Sequence, residues 1–329
     1  MKNIFDFVKV EKNESLFIQN ENDIVILYIK NNDSTIFYKC YETFIKAKFK
    51  GCLYIVNSKK FLSIAKNTNI EYIEQIEDGL IKLNTGFTSE VTISDCINLT
   101  IPNDCNFKLI TTDTLKKLKI NEKFTLKDNN RYYLKYFNFE KNKIYATDAC
   151  IASILLNDFY TDEAFNILPS IFNILGHKEL VLIGVTEDKI ILKNSFVTIY
   201  QNKPDIQFPN CERVIPDIFK YIHNDIDLSI FNNKNKMDLI KSVSENSKKP
   251  SIDINDGVIY SNNVKIGEIG NVLNNYRINA IYLKNVYNLL GDNITCYYHD
   301  KINEPVKYDK SIYFENQNND IVVMMPMAK

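Results

Sequence analysis

The feature that most limits the fold is a recurring unit, in which a short amphipathic helical segment is followed by two or three strand-like runs. One copy begins at Pro169, a residue that the first turn of a helix tolerates, and it places Ile171 and Phe172 on one helical face. Strand-like runs follow at residues 180–183 and 190–192. Units of this kind, repeated at intervals of tens of residues, predict an α+β protein built by duplication.

Three further copies have the same order of helix and strands. They comprise the helical segments 58–65, 237–243 and 282–290, followed by strand-like runs at 70–74 and 80–83, at 251–254 and 258–260, and at 294–298. Gly79 and Gly257 lie in the turns between paired runs, and Gly291 ends the last helix. The 20 Tyr and 20 Phe, beside only 9 Gly and 8 Pro, also favour strands. The alternative is that an isoleucine-rich chain shows these patterns by coincidence.

Length and charge narrow the class of protein. A chain of 329 residues is longer than one core usually serves, so two or three domains are expected. The formal net charge of −1 argues against a protein held to nucleic acid by a large cationic surface. No run approaches the roughly 18 apolar residues of a membrane helix, and the first residues lack the apolar segment of a secretion signal. We therefore expect a cytoplasmic protein with no membrane partner.

The residue types that carry chemistry are scattered. Seven cysteines without a CxxC pair and three isolated histidines predict no disulfide, no metal site and no cofactor. The sequence has no GxxxxGK[ST] loop, no GxGxxG and no G-x-S-x-G elbow. Cys150 lies beside Asp148, but no histidine is placed by sequence to activate its thiol. We therefore predict no catalytic residue and no enzyme activity; an enzyme of unknown chemistry is the alternative, resting on scattered Cys and Asp residues.

Five strings carry a resemblance to one family. Residues 208–216 (F-P-N-C-E-R-V-I-P), 144–150 (I-Y-A-T-D-A-C) and 321–327 (I-V-V-M-M-P-M) resemble segments of the bacterial DNA sliding clamp, the beta subunit of DNA polymerase III. Residues 131–134 (R-Y-Y-L) and 279–283 (N-A-I-Y-L) fall where that family has similar strings. The resemblance covers residues 106–329, and residues 1–105 match only in outline.

The resemblance implies a three-domain clamp fold, with two helices packed on antiparallel sheets in each domain. The domains would be residues 1–105, 106–216 and 217–329, the first of them trimmed because little room is left for its first helix. Two chains would close head to tail as a homodimer ring around double-stranded DNA. The ring would hold DNA topologically and without sequence preference, needing only weak phosphate contacts. Such a protein is a processivity factor in DNA replication.

The resemblance also implies two sets of functional residues. Polymerase and clamp loader would bind through short peptide motifs of the Q-L-x-L-F kind, in a pocket between the second and third domains. The residues of that pocket would be Leu134, Thr147, Ala149, Cys150, Ile151, Ala152, Pro209, Arg213, Val214, Asn279, Tyr282, Val323, Met324, Met325, Pro326 and Met327. The residues that contact DNA would be Lys59, Lys60, Lys66, Lys116, Lys117, Lys119, Arg131, Tyr132 and Tyr133. Ordinary solvated helix faces remain the alternative for these lysines.

One departure bears on specificity. The family's G-H-R-L turn is here Ala149, Cys150, Ile151 and Ala152, which predicts a less polar pocket wall and an altered peptide preference. The main alternative function is a clamp-fold interaction protein or decoy that binds polymerase peptides without encircling DNA. The sequence leaves open the size of the ring, the loader that opens it, and whether a cell or a phage encodes it.

Overall fold

The computed structural model describes most of the chain. The described residues are 5, 8, 10, 14–21, 24–30, 35–40, 45–96, 105–126, 131–175, 180–195, 197–270, 272–299 and 311–327. They form two compact units, of which the first contains residues 1–115 and 170–205, and the second contains residues 116–169 and 206–329. The division into three domains at residues 105 and 216 stays a prediction.

The fold is α+β, as the sequence predicted, with five α-helices and 22 strands in the described part of the chain. The helices are α1 (Ser58–Asn67), α2 (Thr112–Asn121), α3 (Ser170–Ile174), α4 (Lys234–Val243) and α5 (Ala280–Leu290). The helical segments expected at residues 58–65, 237–243 and 282–290 are thereby confirmed. Among the described residues, no helix has both the length and the apolar character needed to cross a membrane.

All but one of the strand pairings between described residues are antiparallel, the exception being the parallel pair β4 and β6. The strands of the first unit are β1 (Ser15–Glu21), β2 (Ile24–Lys30), β3 (Thr35–Cys40), β4 (Lys46–Lys48), β5 (Cys52–Ile55), β6 (Tyr72–Glu77), β7 (Leu80–Leu83), β8 (Thr88–Ser94), β9 (Phe107–Ile110), β12 (Val181–Val185), β13 (Lys189–Lys193) and β14 (Val197–Asn202). The strands of the second unit are β10 (Phe137–Thr147), β11 (Ile151–Ile167), β15 (Ile222–Ile226), β16 (Ser251–Asn255), β17 (Val258–Ser261), β18 (Val264–Glu268), β19 (Tyr276–Asn279), β20 (Ile294–Tyr298), β21 (Ile312–Asn316) and β22 (Ile321–Met324).

The first unit is built on one large sheet. Its twelve strands lie in the order β4-β6-β7-β8-β5-β1-β2-β3-β14-β13-β12-β9. Helix α1 buries Phe61, Leu62 and Ala65, and its N-terminus is capped by Asn57, whose side chain accepts a hydrogen bond from the Lys60 amide. Among the described residues of 1–105, α1 is the one α-helix, where the family resemblance implied two in a complete domain.

The second unit contains two sheets. The six-stranded sheet has the order β10-β11-β22-β21-β20-β15, and the four-stranded sheet has the order β18-β17-β16-β19. Helix α5 starts after Asn279, which caps it, and ends at Leu290. The next residue, Gly291, has a φ of 86° and donates a backbone hydrogen bond to the Tyr287 carbonyl, which closes the last turn. Strand β22 lies between β11 and β21, so the chain's last strand is an interior strand of its sheet.

A buried ion pair fixes the start of β22. The Lys117 ammonium of α2 lies 2.8 Å from Oδ2 of Asp320, a carboxylate with 0% of its side chain exposed. The other oxygen of Asp320 accepts a hydrogen bond from the Leu156 amide of β11 at 3.2 Å. Asn316, in the preceding strand, donates to Oδ2 and accepts from the Asp320 amide. Helix α2, strand β11 and the turn before β22 are therefore joined through one carboxylate.

Candidate functional site

The turn between β10 and β11 is organised by side chains that bond to the backbone. Oδ1 of Asp148 accepts hydrogen bonds from the amides of Cys150 and Ile151, at 2.8 and 3.0 Å. The Thr147 hydroxyl accepts from the Ala149 amide and donates to the Ile151 carbonyl. Ala149 has a φ of 76°, so the backbone keeps the left-handed conformation that glycine favours, although the family's glycine is missing.

The last residues of the described chain lie beside this turn. After β22, the Met325 amide donates to the Cys150 carbonyl at 2.9 Å, and the Met327 amide donates to the Arg277 carbonyl at 2.8 Å. Arg277 is itself held by two 2.9 Å hydrogen bonds from its guanidinium to the Asp253 carboxylate. The segment 325–327, called the tail below, is therefore anchored on one side by the turn and on the other by β19.

Helix α5 also contacts this turn. The Tyr282 hydroxyl donates to Oδ2 of Asp148 at 2.7 Å, which joins residues 134 positions apart. Burial, and then this hydrogen bond, raise the pKa of Tyr282 above its ordinary value, so the phenol stays protonated and remains the donor. Asn279, expected in the pocket, is buried and caps α5 by accepting from the Ile281 amide at 3.0 Å.

We expect Asp148→Ala to lower the free energy of unfolding by about 2–3 kcal/mol, because three hydrogen bonds at about 1 kcal/mol each are lost. Asp238→Ala is the matched control, since Asp238 is an exposed carboxylate on α4. Urea unfolding followed by circular dichroism measures both variants. Equal midpoints would show that the carboxylate does not hold the turn.

Residues 208–216 pack against the same hairpin. A short 3-10 helix spans Cys211–Val214, and Cys211 is buried in a cluster with Tyr145, Ala152 and Ile154. Glu212 accepts hydrogen bonds from the Lys143 ammonium at 2.7 Å and from the Tyr145 hydroxyl at 3.0 Å. These contacts, led by Lys143, lower the pKa of Glu212.

Sequence reasoning missed several residues that hold this region, namely Lys143, Tyr145, Glu212, Arg277 and Asp253. The alternation of β10 places Lys143 and Tyr145 on one face, and that was the available signal. Nothing local indicated that Glu212, 67 positions from Tyr145, would be their acceptor.

The expected pocket residues divide by exposure. The buried ones are Leu134, Thr147, Ile151, Ala152, Asn279, Val323 and Met324. The exposed ones are Ala149, Cys150, Pro209, Arg213, Val214 and Met325, while Tyr282, Pro326 and Met327 are half-buried. The accessible part of this region therefore comprises the turn, the tail and the 211–214 helix, and the buried residues pack beneath them.

Two of the four residues that differ from the family's G-H-R-L turn are buried. Ile151 and Ala152 are only 2% and 4% exposed and pair with Met324 and Val323 of β22. They are core residues, so Ile151→Arg would bury a charge and would test folding instead of peptide preference. The exposed departures from the family's turn are Ala149 and Cys150.

The residues expected to contact DNA lie on two α-helices and at the start of a short 3-10 helix, Tyr132–Lys135. Lys59 and Lys60 are exposed in the first turn of α1, while Lys66 is half-buried near its end. Lys116 is exposed on α2, and Lys119 is half-buried on the same helix. Lys117 differs from these because it holds the buried Asp320 carboxylate.

The aromatic residues lie in the 3-10 helix that precedes β10, and Arg131 is the residue before this helix. Arg131 and Tyr132 are exposed, and Tyr132 meets Tyr133 edge to face with ring centroids 6.0 Å apart.

Among the described residues there is no group of three or more His, Cys, Asp or Glu that could hold a metal ion. Burial raises the pKa of the Cys211 thiol to about 12, so this thiol is unreactive.

The fold is similar to solved structures of one class. The structure of the DNA polymerase III beta chain from Streptococcus pneumoniae matches with a TM-score of 0.69 and 17% identity, over 99% of this chain and 96% of that chain. The DNA polymerase III subunit beta from Pseudomonas aeruginosa matches with a TM-score of 0.70 and 16% identity, over 98% and 96%. The chain has the bacterial sliding-clamp fold. The beta subunit from Thermotoga maritima shares the clamp fold with a TM-score of 0.69 and 12% identity, over 100% of this chain and 93% of that chain.

Similarity to known proteins is found in the fold and not in the sequence. No protein-family model matches the sequence, and no curated protein matches it. At 12–17% identity, the similarity establishes the clamp fold and leaves the function to be argued from the chain's own residues.

Proposed function

We propose that the chain is a DNA sliding clamp, a non-enzymatic processivity factor that works in the cytoplasm of a bacterium or of a phage-infected cell. The main support is the clamp fold, which covers 98–100% of the chain in the three comparisons above. The anchored tail beside the β10–β11 turn supports the second half of the proposal, which is the binding of polymerase and clamp-loader peptides.

The ring would form from unlike edges of two copies. In the second unit, β18 ends the four-stranded sheet and exposes Val264. In the first unit, β8 pairs with β7 only through residues 88–90, and Ile93 further along β8 is 76% exposed. A contact between β18 of one copy and β8 of the next would be head to tail, and two such contacts close a dimer.

DNA would be held by enclosure, because a chain with a net charge of −1 offers little general attraction for phosphate. The exposed lysines Lys59, Lys60 and Lys116 are the best candidates for weak, mobile contacts with the duplex. We also propose DNA contacts for five further residues, which are Lys66, Lys119, Arg131, Tyr132 and Tyr133. Lys117 is the least suitable, since a phosphate contact would compete with its buried carboxylate.

Peptides would bind on the exposed surface of the turn, the tail and the 211–214 helix. Met325 and Met327 suit a surface that accepts several ligands, because their unbranched side chains repack at low cost. Val214 supplies further exposed apolar area. We propose that leucine and phenylalanine anchors of polymerase and clamp-loader motifs pack against these side chains.

The ring predicts a dimer of twice the 38.3 kDa chain mass in light scattering at micromolar concentration. Ile93→Asp should give the monomer, since it places a charge in the contact. Leu109→Asp, at an exposed position on β9 at the other end of the same sheet, should remain dimeric. Once the clamp loader has placed it on nicked circular DNA, the protein should stay bound and should be lost when the circle is cut. A monomer would overturn the ring mechanism, and peptide binding without retention on circles would instead support the decoy.

A further inference from the structure

Large apolar side chains are exposed at one edge of the second unit, where the described residues place no further strand. Strand β15 ends the six-stranded sheet in the described part of the chain. Phe219, in the short 3-10 helix Ile218–Lys220 that precedes it, is 96% exposed, and Ile222 at the start of β15 is also exposed. Exposed apolar residues next to an open strand edge are typical of a surface that accepts another chain.

The other end of this strand faces an acidic cavity. The cavity measures about 270 Å³, and its walls include the carboxylates of Asp225, Asp292 and Glu315 but no lysine or arginine. Thr295 donates to Asp225 at 3.1 Å, and the Tyr287 hydroxyl donates to Asp292 at 2.7 Å, which orients both carboxylates. The cavity therefore carries negative charge at the edge of the sheet.

Aromatic rings lie beside the cavity, on the face of β15 that carries Asp225 and opposite to the face of Ile222. His223, Tyr297 and Tyr313 are aligned across β15, β20 and β21, with ring centroids 5.5 and 5.1 Å apart. Asp225, Thr295 and Glu315 form the next row on the same face, two residues further along. Tyr313 is buried, so the accessible rings are those of His223 and Tyr297. These rings and the neighbouring carboxylates together attract an ammonium or guanidinium group.

We propose that β15 and its adjoining face bind an extended, basic segment of a partner protein. An apolar side chain of that segment packs against Phe219 and Ile222, and a lysine or arginine enters the acidic cavity. Ile222 and Asp225 are three residues apart, or about 10 Å along the strand, so the segment carries its apolar and basic residues at that spacing. Charge selects this occupant, because the carboxylates repel a nucleic-acid backbone.

This surface shares no residue with the turn, the tail or the 211–214 helix, and its use does not depend on ring formation. The test uses fluorescence anisotropy of the full chain with a labelled peptide L-T-V-R-V-T and a matched peptide L-T-V-E-V-T. At low salt the arginine peptide should bind about tenfold more tightly or better, and added salt should reduce the difference.

Two variants and two controls locate the site. Phe219→Ser, and separately Asp225→Asn combined with Asp292→Asn, should each weaken the arginine peptide about tenfold. Leu239→Ser and Asp238→Asn, both exposed on α4, should leave it unchanged, with circular dichroism checking the fold of all variants. Equal binding of the two peptides, or unchanged binding in both site variants, would overturn the proposal. A change of sedimentation in Phe219→Ser without peptide binding would also overturn it, in favour of a contact between copies.

Discussion

Lys117→Ala is expected to lower the free energy of unfolding by about 3 kcal/mol at neutral pH. Removal of one partner from a buried ion pair leaves an uncompensated charge, which typically costs about 3–5 kcal/mol. The lower end applies here because Lys117 is 20% exposed and Asp320 keeps its bonds to Leu156 and Asn316. The Asp320 carboxylate joins α2, β11 and β22, so loss of its ion pair with Lys117 should destabilise the whole second unit.

Urea unfolding followed by circular dichroism measures the effect. Lys116→Ala is the matched control, since it removes an exposed lysine from the same turn of α2 and should change stability by less than about 0.5 kcal/mol. If the two variants unfold at the same urea concentration, the ion pair does not stabilise the protein. Retention on circular DNA should fall in Lys116→Ala if that lysine faces the duplex, which separates the two roles of the helix.

Removal of residues 325–329 is expected to weaken polymerase-peptide binding about a hundredfold while the protein stays folded. The tail contributes Met325 and Met327 to the proposed surface, and burial of each anchor against them is worth about 1.5–3 kcal/mol. Only two backbone hydrogen bonds of the described tail, to Cys150 and Arg277, are lost with it. Peptide affinity by calorimetry and the unfolding midpoint are measured on the same sample.

A cut two residues earlier should behave differently. A deletion from Val323 onward looks harmless in the sequence because it lies at the chain end, but Val323 and Met324 are buried in an interior strand. We therefore expect that longer deletion to destabilise the second unit, and it cannot isolate the site. Unchanged peptide affinity in the shorter truncation, with its midpoint intact, would show that the tail is not part of the binding surface.

The sequence by itself determined the local elements. The helices at residues 58–65, 237–243 and 282–290 could be predicted from the sequence, because a helix is stabilised by contacts three and four residues apart. The sequence also predicted the turns at Gly79 and Gly257 and the helix end at Gly291, because each of these positions requires a positive φ. The structure gives φ values of 84°, 76° and 86°. Local strings, together with these elements, were enough to indicate the clamp fold.

The tertiary structure decided how distant segments meet. The sequence showed Asp148 beside Cys150 but could not show that Tyr282, 134 positions away, binds it. It showed Lys117 as one of several helix lysines, although a buried carboxylate in the turn before β22 occupies it. It placed Ile151 in a pocket wall, whereas pairing with Met324 puts it in the core. Strand order and register depend on contacts between residues far apart in sequence, and no local pattern encodes them.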